Sequence, residues 1–432
     1  MTATVERLSS RLDEVEAKVR LHEQRYSGDS PLAFLSPDAV DALGGRLRVL
    51  NLNFCKLAVD ALAERIRVAG FIVDGSSDAA LWQVWRDQEM EVGSLQAITE
   101  ALMSGRGFIS VWGNSEGPVI NAESAAQCLV ERDPMTREVV RGFKRWTADN
   151  RAHAIVYERD RVTPYTSQSS VPAGGVVPAT GWIAGESMPN PLGVVPLVQL
   201  TNRGRISDVL GVSEMDAIKD VNDALTKTLA DSLVTSEFFA RPRRWATGIE
   251  VEEDENGNAV DPFANSDRTW LSEDPTSKFG QFPISDLGAY DSMTRTLLGQ
   301  ISALSGLPAH YLFSDQQPSS GEEVRAKEIS LVARSESKIT QFSHPLAQVA
   351  RLAVAVRDGR DPRRIRAEVK WADPATRTLA QEADAVVKLA TGDRPVLPIA
   401  EARARLGYSP EQVKALAQQE AADSALRLAL GA

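Results

Sequence analysis

The stretch VSEMDAIKDVNDALTKTLADSLVTSEFFARP, residues 212–242, constrains the fold more than any other. Met215, Ile218, Leu225, Leu229 and Leu233 recur near one face of a helix, and Asn222 and Ser236 dilute that face. Pro242 ends the run, because proline has no N–H to donate and clashes with the preceding turn. A rise of ~1.5 Å per residue makes this a rod of about 40 Å. Two more helical runs follow, over 286–305 and 321–358, and Pro345 inside the last predicts a kink near Gln341.

Between the first two rods, residues 243–285 turn irregular and acidic, and Asn256-Gly257 is a tight-hairpin signal. A small β-rich insertion is expected there. Ahead of the rods, residues 1–30 place Val5, Leu8, Leu12, Val15 and Val19 at spacings of three and four. That gives a helix one apolar seam, suited to lying on the next domain or to a short oligomerisation coil. Fewer than three heptads favours the first reading. NLNFCKLAVDALAERIRVAGF reads as a helix closed by Gly70, and the helices after it as interrupted near Gly93. From 106 to about 200, FISVW, PVINAE, VVRGFKRW, HAIVYERD and GVVPLVQL are short alternating runs divided by Gly, Pro and Asn. RIRAEVKW reads as a returning strand, and 375–432 as helices broken at GDRP and GYSP. The fold class expected is α+β.

At 432 residues and 43% apolar content, the chain can build real cores. No run reaches the ~18–20 apolar residues of a membrane span, and MTATVERLSSRLDE lacks a signal core, so a soluble protein made in the cytoplasm is expected. Cys55 and Cys128 are too few for a disulfide framework and read as buried small residues. A formal charge of −11 argues against a tight grip on DNA phosphates, yet permits DNA to slide.

Gly113-Asn114-Ser115-Glu116-Gly117 matches G-x-S-x-G, but hydrolase chemistry needs a helix directly after the serine, and Pro118 and a strand follow instead. Asp254-Glu255-Asn256-Gly257 lacks the ligand spacing of a calcium loop. No phosphate-cradling loop occurs, and His22, His153, His310 and His344 have no metal-binding spacing. No cofactor and no catalytic residue are expected. SGLPAHYLFSDQQPSSGEE, residues 305–323, separates two rods, and its His310 has no nucleophile or acidic orienter adjacent in sequence.

The order of parts resembles the portal proteins of tailed double-stranded DNA bacteriophages: an α+β half, a long helix, an acidic insertion, a second helix, a polar loop and a long helix returning to the first domain. The wording of NLNFCKLAVDALAERIRVAGF, NPLGVVPLVQLTNR, GVSEMDAIKDVNDALTKTLADSLVTSEFFARPRRWATG and SALSGLPAHYLFSDQQPSSGEEVRAKEISLVARSESKI is also similar, spanning about 45–360. A head-tail adaptor is the alternative within virion proteins, though adaptors are shorter and lack paired long helices around an insertion.

The resemblance implies a non-enzymatic ring, usually of twelve subunits, at one capsid vertex, through which the genome enters and leaves. Its partners would be other copies of itself, double-stranded DNA held weakly, the terminase large subunit, the major capsid protein and head-tail adaptors. Residues 31–210 would be the wing, 211–240 and 286–305 the stem helices, and 241–285 the clip. Residues 306–320 would be the tunnel loop, 321–372 the long wing helix with its returning strand, and 373–432 the crown. Ser314, Asp315, Gln316, Gln317, Pro318, Ser319 and Ser320 would line the channel, with Pro308, His310 and Tyr311 as anchors at the loop base. Arg241, Arg243, Arg244, Glu252, Glu253 and Asp254 would contact terminase or a neighbouring subunit.

Overall fold

The computed structural model describes residues 2–29, 52–172, 174–240, 244–248, 274–281, 287–316, 318, 320–375, 379–391, 395–408 and 410–429. Helix α1 (Thr2–Ser27) leads into α2 (Phe54–Ala63), β1 (Val68–Val73), the two-residue β2 (Ser76–Ser77), α3 (Ala79–Asp87) and α4 (Met90–Ser104). Eight consecutive strands then form two sheets with a later ninth: β3 (Arg106–Asn114), β4 (Gly117–Glu123), β5 (Cys128–Arg132), β6 (Val139–Ala148), β7 (Arg151–Tyr157), β8 (Arg161–Ser170), β9 (Trp182–Ala184), β10 (Met188–Pro189) and β11 (Leu197–Thr201). One sheet has the order β11-β3-β4, and the other runs β10-β8-β7-β6-β5 with β9 on β8; every pairing is antiparallel. The α+β class expected from sequence is the class observed.

Three long helices follow: α5 (Lys219–Ala240), α6 (Gly288–Ser305) and α7 (Gly321–Asp358), with β12 (Arg244–Thr247) and β13 (Lys278–Gln281) paired between the first two. Strand β14 (Ala367–Trp371) returns to pair with β1, Val68 opposite Trp371 and Val73 opposite Ala367. Helices α8 (Leu379–Ala390), α9 (Ile399–Arg405) and α10 (Pro410–Ala429) end the chain, and Val386, Leu397 and Ala402 form a small core of their own.

The main core joins α2, α4, the β11-β3-β4 sheet and the second half of α7, where Phe342, Leu346, Val349 and Ala350 are fully buried. Helix α1 lies on the second sheet: Val5, Leu8 and Leu12 pack with Leu129, Phe143 and Ala154, and Val19 packs with Phe108 and Cys128. The apolar seam is thus spent inside the subunit, each buried leucine contributing about 1.5–3 kcal/mol. Charge pairs fix the helix in place, with Arg7 on Glu131 at 2.6 Å, Arg145 on Asp13 at 2.6 Å and Arg25 on Asp223 at 2.7 Å.

Three boundaries differ from the sequence reading. Helix α2 stops at Ala63, and Gly70 lies within β1, where the register to β14 shifts between Val68 and Gly70. The distant partner strand captures VAGFIV as β structure, a choice local propensity cannot make. The break between α3 and α4 falls at Glu89, left-handed at φ +54°, whereas Gly93 sits inside α4. A Cβ on Gly93 would lie 2.9 Å from the Met90 sulfur, so that glycine makes room for a buried methionine. Finally, α5 starts at Lys219, after a 3-10 turn Glu214–Ala217 capped by the Ser213 hydroxyl, and is about 33 Å long. Met215, Ile218 and Leu225 are fully buried, but Leu233 is 41% exposed, so the far half of the rod leaves the core.

Candidate functional site

The segment between α6 and α7 is built from its two ends. Helix α6 closes on Gly306, left-handed at φ +72°, whose N–H donates to the Ser302 carbonyl at 2.9 Å. A Cβ there would meet Arg334 Cδ at 2.8 Å. The Ser302 hydroxyl donates to the Leu307 carbonyl at 2.7 Å, and the Leu307 N–H donates to the Ser305 hydroxyl at 3.2 Å. At the other end, Ser320 caps α7 by accepting from the Glu323 N–H at 3.2 Å. Ser320-x-x-Glu323 has the pattern of a capping box, so Ser320 belongs to the helix start as much as to the loop.

Between these ends, Pro308 is buried and starts the 3-10 turn Ala309–Tyr311. The Tyr311 hydroxyl donates to Glu328 Oε1 at 3.0 Å. Arg65 Nη2 meets the same carboxylate oxygen at 3.0 Å and the tyrosine oxygen at 3.2 Å. Glu328 is almost wholly buried, and a buried carboxylate is tolerated where cation and hydroxyl partners converge on it. Burial pushes the Tyr311 phenol up from its ordinary value, Arg65 acts against that and Glu328 with it. The His310 ring stands edge-on to Tyr311, centroids 4.8 Å apart. Ser314–Gln316 forms a second short turn, where Asp315 pairs with Arg295 of α6 at 3.1 Å on an exposed surface. Gln317 and Ser319 lie outside the described residues, as do Arg241, Arg243, Glu252, Glu253, Asp254 and the Asn256-Gly257 turn. Arg244 opens β12 opposite Gln281. Helix α7 continues through Pro345 as one element.

A second set of contacts ties this joint to the start of α5. Arg334 Nη1 donates to the Leu304 carbonyl at 3.0 Å, and its Nη2 reaches Glu214 at 3.1 Å. Lys338 lies 2.6 Å from Glu214 and donates to Asn202 Oδ1 at 2.6 Å. Burial raises the Glu214 carboxyl, but Lys338, Asn202 and Arg334 outweigh it and hold the group below its usual range. Gly211 passes so close to Gly105 that a Cβ would sit 1.8 Å from the Gly105 oxygen. The sequence reading missed Arg65, Glu214, Glu328, Arg334 and Lys338, because each has its partners far away in the chain.

Ser115 stands at the tip of the β3–β4 hairpin, where Asn114 pairs with Gly117 and Asn114 Oδ1 accepts from the Glu116 and Gly117 N–H groups at 2.8 and 3.0 Å. Strand β4 follows directly, so Ser115 is not on a nucleophile elbow and the hydrolase reading of this motif falls. His22 faces Asp216 at 3.2 Å, His153 stacks on Trp146, and His344 is exposed on α7. Cys55 and Cys128 are both buried, and burial pushes the Cys55 thiol up to about 11.

Residues 38–397 match the family described as phage portal protein, SPP1 Gp6-like. The portal protein of Mycobacterium phage L5 is 30% identical over 407 residues, covering 88% of this chain and 80% of its own. That of Mycobacterium phage D29 is 30% identical over 404 residues, covering 88% and 81%. Solved structures that are similar include the neck of an empty GTA particle, at TM-score 0.48 and 15% identity, covering 88% of this chain and 96% of that one. The neck of the native GTA particle has a TM-score of 0.46 at the same identity and coverage.

Proposed function

This chain belongs to the phage portal protein family, SPP1 Gp6-like, and is a component of the virion; on that premise we propose how its parts serve as a channel. Copies of the chain, usually twelve in the family, form a ring in which α5 and α6 are the stem, 241–285 the clip, 306–320 the tunnel loop and 373–432 the crown. Leu233, Met293 and Leu304 support the stem reading, since large apolar side chains exposed on these helices in the single subunit mark an interaction surface. The chain performs no chemistry of its own. It guides DNA and offers docking surfaces to the terminase large subunit, the major capsid protein and adaptors.

One observation carries the tunnel-loop reading. The segment is held firmly at its base by Tyr311, Arg65 and Glu328, while beyond it Ser314 is exposed and Asp315 is already neutralised by Arg295. A channel lining of that kind touches DNA without clamping phosphates, and a strong clamp would stall translocation. A net charge of −11 per subunit acts in the same direction, screened beyond ~10 Å by salt. Replacing 314–320 by a Gly-Ser link is expected to leave rings intact by light scattering and negative stain while lowering the DNA content of capsids. Normal DNA content would overturn the assignment.

A further inference from the structure

A cluster of basic residues that departs from the acidic balance of the chain lies along the second half of α7. The β5–β6 turn, the loop before β11, the second half of α7 and the turn after it enclose a cavity of about 440 Å³. Arg132 and Arg137 enter it from the turn, Arg351 from α7 and Arg363 from the 3-10 turn Pro362–Arg364. Arg132 donates to the Arg137 carbonyl at 3.1 Å and Arg363 to the Gly193 carbonyl at 2.9 Å, which satisfies donors without neutralising charge. None of these four forms an ion pair among the described residues, and Glu138, the carboxylate lining the cavity, is already engaged by Arg159, a fifth arginine of the lining. His344 and Gln348 of α7 add further polar groups.

Several other arginines of this protein are matched with acids, as Arg65 is with Glu328, Arg145 with Asp13 and Arg357 with Asp78, although buried Arg106 has only the Ala125 carbonyl. Around this cavity the matching fails. Burial lowers the Arg132 pKa from its ordinary value, and the positive charge of Arg203 lowers it further. Arg132 and Arg351 are half-buried while Arg137 and Arg363 are exposed at the rim, and a half-buried cation without an acid beside it is costly unless an anion joins it.

The cavity has the size of a small-molecule site. Guanidinium forks match phosphate oxygens two by two. An extended acidic peptide turns successive carboxylates to opposite faces, so it would bring fewer charges into this volume than linked phosphates do. We propose that this cavity binds a compact polyphosphate, two or three linked phosphate groups as in a nucleoside triphosphate, free or at the end of a nucleic-acid strand.

The test is calorimetric titration of the full chain with sodium tripolyphosphate at about 0.15 M salt. Saturable binding of one per chain is expected, weakened at least tenfold in the Arg132→Gln/Arg351→Gln double variant and in Arg363→Gln. The double variant keeps or raises its melting temperature, because removing the Arg132 charge relieves its repulsion with Arg203. ATP binding as tightly as tripolyphosphate supports recognition of the phosphates alone. Displacement by a 5′-triphosphorylated oligonucleotide assigns the source to a strand end, and failure to displace assigns it to a free polyphosphate. No saturable heat at millimolar ligand, equal binding by the variants, or tighter binding of polyglutamate than of tripolyphosphate would overturn the proposal.

Discussion

Replacing Glu328 by alanine tests whether the loop base is held as described. The carboxylate is buried, its side chain 5% exposed, and it joins Arg65, 15% exposed, to the Tyr311 hydroxyl. Breaking a fully buried ion pair costs roughly 3–5 kcal/mol. Here Arg65 also donates to the Pro374 carbonyl at 2.9 Å, which lowers the expected cost to about 2–3 kcal/mol. If that energy acts on local opening of 307–313, the open population rises about 30- to 150-fold, at 1.4 kcal/mol per factor of ten. Amide hydrogen exchange read by mass spectrometry on peptides covering 307–313 is the assay, with peptides of β6 and β7 as an internal reference. Tyr311→Phe, which removes one neutral donor, is expected to cost about 1 kcal/mol and raise exchange roughly fivefold. Arg65→Gln combined with Glu328→Ala gives less than the sum of the single effects, because the two side chains share one interaction. Additive effects, or exchange that rises equally in β6 and β7, would refute the anchoring role and leave only general destabilisation.

Acidification is expected to loosen α1 from the sheet. Arg7 holds the Glu131 carboxyl down to about 2, against a partly opposing burial effect, with Arg141 adding to it. Because the folded value lies below the unfolded one, this stabilisation is complete above pH 4.5 and is lost as pH falls towards 2; Glu131→Gln flattens that part of a urea-midpoint profile. Gly211→Ala forces a side chain onto the Gly105 carbonyl at a backbone φ of +84°, and is expected to lower stability by more than 3 kcal/mol or to yield insoluble protein, read by thermal melting of the soluble fraction.

The limits of α7 were legible from residues alone: Ser320 and Glu323 at the start and Gly359 at the end are local capping chemistry, and the 38-residue helix between them follows. The β3–β4 hairpin was legible for the same reason, since Asn114 satisfies the turn's own N–H groups. The seam of α1 was visible at Val5, Leu8, Leu12 and Val19, and the α+β class and family resemblance followed from the order of such elements. What those elements meet was decided only by the tertiary structure. The sequence ran α2 on to Gly70, whereas pairing with β14, about 300 residues away, makes that segment a strand. The loop appeared isolated with its histidine, whereas Arg65 and Glu328 close its base and five arginines from four separate segments line one cavity. Caps, turns and helical seams are interactions between near neighbours, so a few residues encode them. Buried charges and strand partners depend on which distant segments the folded chain brings within a few ångströms, and no local pattern carries that information.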